Sequence, residues 1–327
     1  MVKNTRNLPE IWPGSEPWEV RREQIVRLLC EEVYGFPPPP PVNLSWEELS
    51  IDDDFCAGKA ALRKILLKAE LENGAVFMFP INVIVPASKT PVPFFVLANF
   101  VPEVPNKKMP VEEIIDNGFG ILSFCYEDVS LDRPDFHCGV GENCGKIALW
   151  AWANSRVMDY AFSLPELDKA RGTVIGHSRL GKTALLTGAL DTRFSCAVSI
   201  QSGCCGAAVF RGKKGERISD SMSMFPYWYK QSFAKYAGSE ESLPFDQHFF
   251  LAACAPRKVY VASAKQDEWA DPESEHLSCV MASEVWERLG LPGFTQKGSI
   301  GYHNREGTHY FGREDWLCVM DYLKSAQ

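Results

Sequence analysis

The sequence lacks any apolar stretch long enough to cross a membrane. Its longest candidate, Phe94–Val101, has the length of a strand, whereas a spanning helix needs roughly 20 apolar residues. It also lacks a basic cluster, since 34 lysines and arginines face 42 acidic residues and the net charge is −8. Proteins that bind the nucleic-acid backbone usually have a basic face. The sequence therefore predicts neither a membrane partner nor a nucleic-acid partner.

Metal-binding patterns are missing as well. The 11 cysteines are scattered and odd in number, with no CxxC spacing, and no two of the six histidines are spaced i, i+4 around an acid. We therefore expect no metal site. Residues 1–13 contain no apolar core of a secretory leader, so a cytoplasmic location with reduced thiols is favoured. A leader removed before Met1 would instead allow secretion.

The composition predicts a folded chain with a sizeable core, because 46% of the residues are hydrophobic and 23% are charged. Apolar spacing indicates a helix over Pro17–Gly35, and the prolines of Pro37–Pro41 interrupt regular structure. We divide the chain into an N-terminal extension (1–50) packed on the core and one catalytic domain (51–327). Strands are predicted at Ala60–Glu70, Val76–Val85 and Val92–Phe100, forming antiparallel strands on the N-terminal side.

After Asn99 the pattern changes to alternating strands and helices. The predicted strands are Gly118–Tyr126, Gly172–Gly176, Cys196–Gln201, Lys258–Ala264 and Ser299–Tyr302. The predicted helices are Lys146–Leu164, Leu180–Leu190, Leu277–Leu289 and Glu314–Lys324. Such alternation is typical of a mostly parallel sheet covered on both faces. The predicted fold is therefore α/β, with three layers.

The string Gly172–Lys182 reads as a short strand that breaks at a glycine and opens a helix. A serine at such a corner is the nucleophile elbow of α/β-hydrolases, because the sharp turn lifts the hydroxyl out of the sheet. This makes Ser178 the candidate nucleophile. The spelling differs from GxSxG, since Leu180 replaces the second glycine, which moves to Gly181. The alternative is that Ser178 merely caps the following helix.

A serine nucleophile needs a base and an acid that orients the base. In α/β-hydrolases the chain order is Ser, then Asp or Glu, then His. The strand Lys258–Ala264 runs into Asp267, Glu268 and Asp271. Asp267 comes first after the strand and is the predicted acid. Glu268 and Asp271 are the alternatives, although Asp271, followed by Pro272, fits a helix cap better.

The last predicted strand leads into a segment that contains two histidines. His309 follows the bend at Gly307 and is freer to reach Ser178, whereas His303 sits at the end of the strand. The sequence therefore favours His309 as the base. His177, next to the nucleophile, should point the opposite way through the elbow and is predicted to be structural. No cofactor is expected, because the chemistry needs only proton transfer and charge stabilisation.

Six strings, in this order, resemble the bacterial branch of the glucuronoyl esterases, carbohydrate esterase family 15, over about residues 95 to 325. They are Gly176–Lys182, Ser202–Ala208, Leu243–His248, Ala255–Arg257, Asp267–Pro272 and Gly301–His309. The resemblance implies an α/β-hydrolase that cleaves esters between (4-O-methyl)glucuronate on xylan and lignin alcohols. It also implies Ser178 as nucleophile, His309 as base and Asp267 as acid.

The resemblance gives four further residues a role. It implies that Arg179 stabilises the oxyanion, that Lys182 and Glu216 bind sugar hydroxyls, and that Trp269 lies beside the sugar. Fungal members carry a glutamate as the acid where this sequence has Gln201, so Asp267 must orient the base alone. The loop Asn99–Glu103 lacks the family's glycine-rich spelling, which leaves the second oxyanion donor open.

The predicted function is a serine carboxylic-ester hydrolase, a glucuronoyl esterase that forms an acyl-enzyme on Ser178. Its partner is a small-molecule or polysaccharide ester, and we expect a monomer. One alternative is an acetyl xylan esterase or a related small-ester carbohydrate esterase, because the triad is indifferent to which side of the ester holds the sugar. A second alternative is a carbohydrate-binding protein that kept the fold and lost turnover.

Overall fold

The computed structural model describes residues 6–135, 143–295 and 297–325. Within these ranges nine strands form one sheet in the order β1-β2-β3-β5-β4-β6-β7-β8-β9. The strands are β1 (Asn43–Asp54), β2 (Ala60–Glu70), β3 (Val76–Pro86), β4 (Val92–Asn99), β5 (Gly120–Cys125), β6 (Leu167–His177), β7 (Cys196–Ile200), β8 (Lys258–Ala264) and β9 (Ile300–Arg305). The described α-helices are α1 (Trp18–Leu29), α2 (Phe55–Gly58), α3 (Val111–Asp116), α4 (Tyr126–Val129), α5 (Lys146–Ala161), α6 (Arg179–Leu190), α7 (Ile218–Met224), α8 (His248–Ala252), α9 (Pro272–Arg288) and α10 (Arg313–Ser325).

The sheet has an antiparallel part and a parallel part. Strands β1, β2 and β3 pair antiparallel with one another, and β3 pairs antiparallel with β5. From β5 to β9 all neighbouring strands are parallel. The carboxyl ends of the parallel strands therefore meet at one edge, which is where open α/β sheets place their sites.

The predicted set of antiparallel strands was wrong in one member. Strand β4 (Val92–Asn99) is parallel and lies between β5 and β6. Seven of its eight residues are buried, and such continuous burial is typical of a parallel strand covered on both faces. The third antiparallel strand is β1, which the sequence analysis missed and none of whose residues is buried.

Helices cover both faces of the sheet. Neighbouring strand residues point to opposite faces, so Val174 belongs to one hydrophobic core and Ile175 to the other. The larger core contains residues of α1, α5, α6, α8 and α9, and the smaller one contains residues of α3 and α10. No helix among the described residues is long and apolar enough to span a bilayer.

The N-terminal residues pack on the larger core. In helix α1, the Trp18 indole donates to the carbonyl oxygen of Ala255 at 3.1 Å, and Arg22 donates to that of Ala253 at 2.8 Å. Strand β1 crosses residue 50 and pairs with β2 from Asn43 to Asp52, with a register shift between Glu48 and Ser50. The division of the chain at residue 50 stays a prediction, but no break in the sheet coincides with it.

Candidate active site

Ser178 lies between the end of strand β6 and the start of helix α6. Its backbone has φ 59° and ψ −127°, and a non-glycine residue rarely adopts a positive φ. The turn requires glycine at position 176, because a Cβ there would overlap the carbonyl oxygen of Leu180. The Ser178 side chain makes no capping hydrogen bond to helix α6. The described geometry is therefore that of a nucleophile elbow and not of a simple helix cap.

The structure brings the predicted base and acid together. His309 Nδ1 donates to Asp267 Oδ2 at 2.6 Å, and the Asp267 side chain is only 3% exposed while that of His309 is 42% exposed. The loops that carry them are joined, because the backbone amide of Gln266 donates to the carbonyl oxygen of Gly307 at 3.0 Å. With Nδ1 protonated, His309 Nε2 is an acceptor, which is the tautomer a general base needs.

The base lies next to the elbow. The ring of His309 is 4.5 Å from that of His177, the residue before Ser178. The hydrogen bonds of the described residues include none between Ser178 Oγ and His309 Nε2. This contact often forms only when substrate is bound. The catalytic roles of Ser178, His309 and Asp267 stay predictions that this arrangement supports.

The alternative base is engaged by other residues. His303, predicted at the end of the last strand, lies within it, because strand β9 extends to Arg305. Its Nε2 contacts Asp315 Oδ1 at 2.9 Å, and its Nδ1 contacts the hydroxyl of Tyr260 at 2.9 Å. Both ring nitrogens are therefore occupied, which leaves His303 a structural role.

The alternative acids are also placed elsewhere. Asp271 is the N-cap of helix α9, where its side chain accepts from the backbone amide of Ser274 at 3.2 Å. It also accepts from the backbone amide of Lys214 at 2.8 Å. Glu268 is exposed. Among the three predicted acids, Asp267 is the one that contacts a histidine.

Gln201 contributes through its carbonyl oxygen. Gln201 Oε1 accepts from the backbone amide of Tyr310 at 2.8 Å, so it holds the segment that carries His309. The same oxygen lies 3.3 Å from Nε2 of His177. Burial, followed by the charges of His309 and Lys108, lowers the pKa of His177 well below its ordinary value. A neutral His177 thus donates from Nε2 and accepts at Nδ1.

Arg179, the predicted oxyanion residue, is held by a buried carboxylate. Its Nη1 is bonded to Asp132 Oδ2, and its guanidinium lies 4.6 Å from the ring of Trp228. Asp132 also accepts from the Trp228 indole at 2.6 Å and from the Tyr126 hydroxyl at 3.0 Å. Three donors on one carboxylate fix its position, and Asp132 thereby orients the guanidinium at the elbow.

Lys182 and Glu216 lie together, and Lys182 Nζ is 5.8 Å from the centre of the Trp228 ring. Lys182 Nζ donates to the carbonyl oxygen of Ser202 at 2.8 Å and lies 3.9 Å from Glu216 Oε2. Glu216 Oε1 accepts from the hydroxyl of Ser221 at 3.0 Å. Both charged side chains are at least nine-tenths buried. A buried cation and anion in one place can offer a donor and an acceptor to the hydroxyls of a sugar.

Trp269 is positioned by its backbone and leaves its ring exposed. Its carbonyl oxygen accepts from the amide of Glu216 at 3.0 Å, and the residue is 52% exposed. An exposed indole face can stack on the apolar face of a pyranose. The predicted sugar-binding residues Lys182, Glu216 and Trp269 therefore lie within one connected part of the structure.

The sequence analysis missed three residues of this region, Asp132, Trp228 and Lys108. None of them belongs to a recognisable motif, and their contacts arise only when distant loops meet. Within the described ranges, no group of three or more His, Cys, Asp or Glu is arranged to hold a metal ion.

The chain is similar to proteins of known class. A family model described as "Glucuronyl esterase, fungi" matches residues 71–290. Carbohydrate esterase MZ0003, from an unidentified prokaryote, is 37% identical over 235 residues, which cover 65% of this chain and 54% of that protein. The 4-O-methyl-glucuronoyl methylesterase 1 of Wolfiporia cocos is 26% identical over 311 residues, which cover 89% of this chain and 72% of that protein.

A solved structure extends the similarity to nearly the whole chain. The glucuronoyl esterase from Solibacter usitatus matches with a TM-score of 0.87 and 31% identity, covering 98% of this chain and 97% of that chain. The parallel sheet and the elbow define the class, which is the α/β-hydrolases. Within that class, the chain belongs to the glucuronoyl esterase family, carbohydrate esterase family 15. The predictions of fold class and family are confirmed, and the similarity extends to residues before 95, where no motif had been found.

Proposed function

We propose that the protein is a glucuronoyl esterase, a carboxylic-ester hydrolase that cleaves (4-O-methyl)glucuronate esters between glucuronoxylan and lignin alcohols. The observation that supports this best is the cluster of charged residues beside the nucleophile. Arg179, Lys182 and Glu216 are linked around Trp228, next to Ser178. A site with donors and an acceptor beside the nucleophile is suited to an acyl group that is itself a sugar.

In the first step, Ser178 Oγ attacks the carbonyl carbon of the uronate ester. Its proton passes to His309 Nε2, and Asp267 balances the imidazolium that forms. The negative charge on the carbonyl oxygen is stabilised by the Arg179 guanidinium and the backbone amide of Arg179. The bond between the carbonyl carbon and the alcohol oxygen then breaks, and His309 returns the proton to that oxygen. The products are the free alcohol and an ester of Ser178.

In the second step, water releases the acid. His309 takes a proton from water while the oxygen attacks the acyl-enzyme, and the bond to Ser178 Oγ breaks. The proton then passes from His309 to Ser178 Oγ. The uronic acid leaves and loses its carboxyl proton to the solvent, and the enzyme returns to its starting state.

The acyl side of the site would recognise the uronate ring. Lys182 can donate to a ring hydroxyl, and Glu216 can accept from one. Trp269, which is 52% exposed, offers an aromatic face. These contacts with the uronate ring lower the activation barrier of ester cleavage only when they also position the carbonyl carbon next to Ser178 Oγ.

The experiment compares Ser178→Ala with the wild type on benzyl glucuronate. We expect kcat to fall by about 10⁴-fold or more, because the variant lacks the nucleophile. Ser88→Ala, at an exposed loop position, serves as the matched control and should keep full activity. Near-normal turnover of the Ser178 variant would contradict the assignment.

Two further substrates test the sugar and the side of the ester that holds it. The wild type should hydrolyse benzyl glucuronate faster than the galacturonate epimer, since the polar groups that bind one hydroxyl arrangement are left unpaired by the other. An aryl acetate tests the alternative of an acetyl esterase. Faster hydrolysis of the acetate than of the glucuronate ester would favour that alternative.

A further inference from the structure

The loop expected to supply the second oxyanion donor has its first backbone amide engaged in a hydrogen bond within the loop. In α/β-hydrolases the second oxyanion donor is a backbone amide in the loop that follows the strand here named β4. In this protein the first amide of that loop, of Phe100, donates to Asn99 Oδ1 at 2.9 Å. The hydrogen of the Phe100 amide is therefore directed at Asn99 and is not available to the oxyanion.

A lysine side chain lies beside the Phe100 ring and the residue that precedes the nucleophile. Lys108 Nζ lies 3.2 Å from Nδ1 of His177, the residue before the nucleophile, and 3.9 Å from the centre of the Phe100 ring. The backbone of Lys108 is fixed at both ends of the residue. Its amide donates to Asn106 Oδ1 at 2.9 Å, and its carbonyl oxygen accepts from the Trp316 indole at 2.8 Å.

Lys108 and Arg179 both lie near the ring of Phe100. The guanidinium of Arg179 lies 5.9 Å from the centre of the Phe100 ring, on which Lys108 Nζ also lies. Arg179 is paired with Asp132, whereas no ion pair of the described residues joins Lys108 to a carboxylate. Lys108 and Arg179 carry two positive charges, and Asp132 supplies one negative charge. The remaining positive charge is unfavourable when it is partly buried, and an anion that binds beside the two cations balances it.

We propose that Lys108 is a catalytic residue whose ammonium group stabilises the oxyanion together with Arg179, in place of the loop amide. One of its three hydrogens is directed at His177 Nδ1, and two remain for the oxygen that becomes negative. His177 is the positioning residue of this arrangement, because its neutral ring accepts from Lys108 and donates to Gln201. This inference rests on the proposed ester hydrolysis but not on the identity of the ester.

The charge of Lys108 provides a readout that a structural role would not give. Burial, followed by the charge of Arg179, lowers the pKa of Lys108. The other charged or titratable groups that face it are His177 and, behind that ring, His309. Loss of the Lys108 proton at alkaline pH should therefore lower kcat. An arginine at position 108 stays charged at every accessible pH.

The test compares Lys108→Met, Lys108→Arg and the matched control Lys107→Met, which removes an exposed lysine one residue away. Two rates are measured, kcat on benzyl glucuronate and the rate at which a fluorophosphonate labels Ser178. We expect Lys108→Met to lower both rates by about 10²-fold, the usual cost of one oxyanion donor. KM should change by less than about threefold. Lys107→Met should leave both rates unchanged.

Lys108→Arg should restore most of the activity and remove the alkaline decline of kcat. The proposal would be overturned if Lys108→Met had the same rates as the wild type. It would also be overturned if Lys108→Met and the control Lys107→Met lost activity equally. If Lys108→Met fails to fold by circular dichroism, the pH profile of Lys108→Arg decides, because an unchanged alkaline decline excludes Lys108 as its source. Labelling by the fluorophosphonate does not require a sugar substrate. If the wild type is labelled rapidly but does not hydrolyse glucuronate esters, the proposed substrate is refuted, and the labelling rates still test the role of Lys108.

Discussion

Two histidines near the carboxyl end of strand β9 each contact a carboxylate, and the two pairs differ in whether they leave a ring nitrogen free. His309 contacts Asp267 through Nδ1 and is 42% exposed, so that Nε2 is available to a substrate. His303 contacts Asp315 through Nε2 and Tyr260 through Nδ1, and it is 14% exposed. The availability of one ring nitrogen separates a proton-transfer site from a structural hydrogen-bond network.

The carboxylates differ in the same way. Asp315 is fully buried and forms an ion pair with Arg305, with Nε and Oδ1 3.1 Å apart. In the described residues Asp267 forms an ion pair with no lysine or arginine, and His309 is its ionisable partner. The negative charge of Asp267 is therefore available to an imidazolium, whereas that of Asp315 is already balanced. The acid without a lysine or arginine partner in the described residues is therefore the one that contacts the histidine predicted to be the base.

The structural pair also supports the catalytic one. The Arg305 guanidinium donates to the carbonyl oxygens of Glu306 at 2.8 Å and Thr308 at 3.3 Å, and to that of Tyr310. These three residues surround His309 in the chain. Asp315 fixes Arg305, and Arg305 fixes the loop that presents the base.

The largest expected difference is between the two histidines. His309→Ala should lower kcat on benzyl glucuronate by about 10⁴-fold or more, because the base is lost. His303→Ala should lower kcat by less than about tenfold and cost about 1–3 kcal/mol of unfolding free energy, since Tyr260 and Asp315 lose a partner. Steady-state kinetics and urea unfolding measure both effects. A kcat loss in the His303 variant as large as that in the His309 variant would reverse the assignment.

The two acids should separate activity from stability. Asp267→Asn should lower kcat by about 10³- to 10⁴-fold, because an amide neither fixes the tautomer nor balances the imidazolium. Asp315→Asn should instead cost about 3–5 kcal/mol of unfolding free energy, since Arg305 is left as an unpaired buried charge. Each variant is the control for the other in urea unfolding and steady-state assays. A stable Asp315 variant with kcat as low as the Asp267 variant would show that this distinction is wrong.

The smallest expected effect concerns a third carboxylate behind the site. Glu275 accepts from the amide of Gly203 at 2.9 Å and from the Ser263 hydroxyl at 2.6 Å. Burial raises its pKa from 4.5 to about 7. Between these values the native Glu275 holds a proton that the unfolded chain has lost, so Glu275 should contribute a decrease of up to about 3 kcal/mol in the free energy of unfolding as the pH rises.

Glu275→Gln should remove that dependence, because the amide does not titrate and can still accept from Gly203. The measurement is urea unfolding at pH 4.5, 6 and 7.5. Glu268→Gln, which changes an exposed glutamate, is the control and should keep the pH dependence of the wild type. Identical pH dependence in the Glu275 variant and the wild type would show that Glu275 is not its source.

Sequence patterns predicted the parallel part of the fold and the pairing of His309 with Asp267. They did so because a glycine break opens the turn at Ser178 and because acids and histidines follow buried strands. The order of β4 in the sheet was not predictable from its neighbours, since consecutive segments need not pair. The signal in the sequence was the nearly continuous run of apolar residues in β4, which is typical of a parallel strand buried on both faces. Strand β1 was missed because its apolar alternation changes phase between Trp46 and Leu49, where its pairing with β2 shifts register.

The supporting residues could not be predicted for a different reason. Asp132 meets Arg179 and Trp228 only after three separate segments have folded together. Lys108 contacts His177 from a loop whose sequence contains no recognisable catalytic motif. Motifs describe residues that are close along the chain, whereas these contacts depend on tertiary structure.

The loops that place Asp267 and His309 follow the adjacent parallel strands β8 and β9, while Glu216 and Trp228 belong to the long segment between β7 and β8. The reaction centre and much of the selectivity surface are therefore separate inserts on one scaffold. Exchanging the segment between β7 and β8 for that of a relative is a direct route to altered sugar preference, because the strands that hold the acid and the base stay in register.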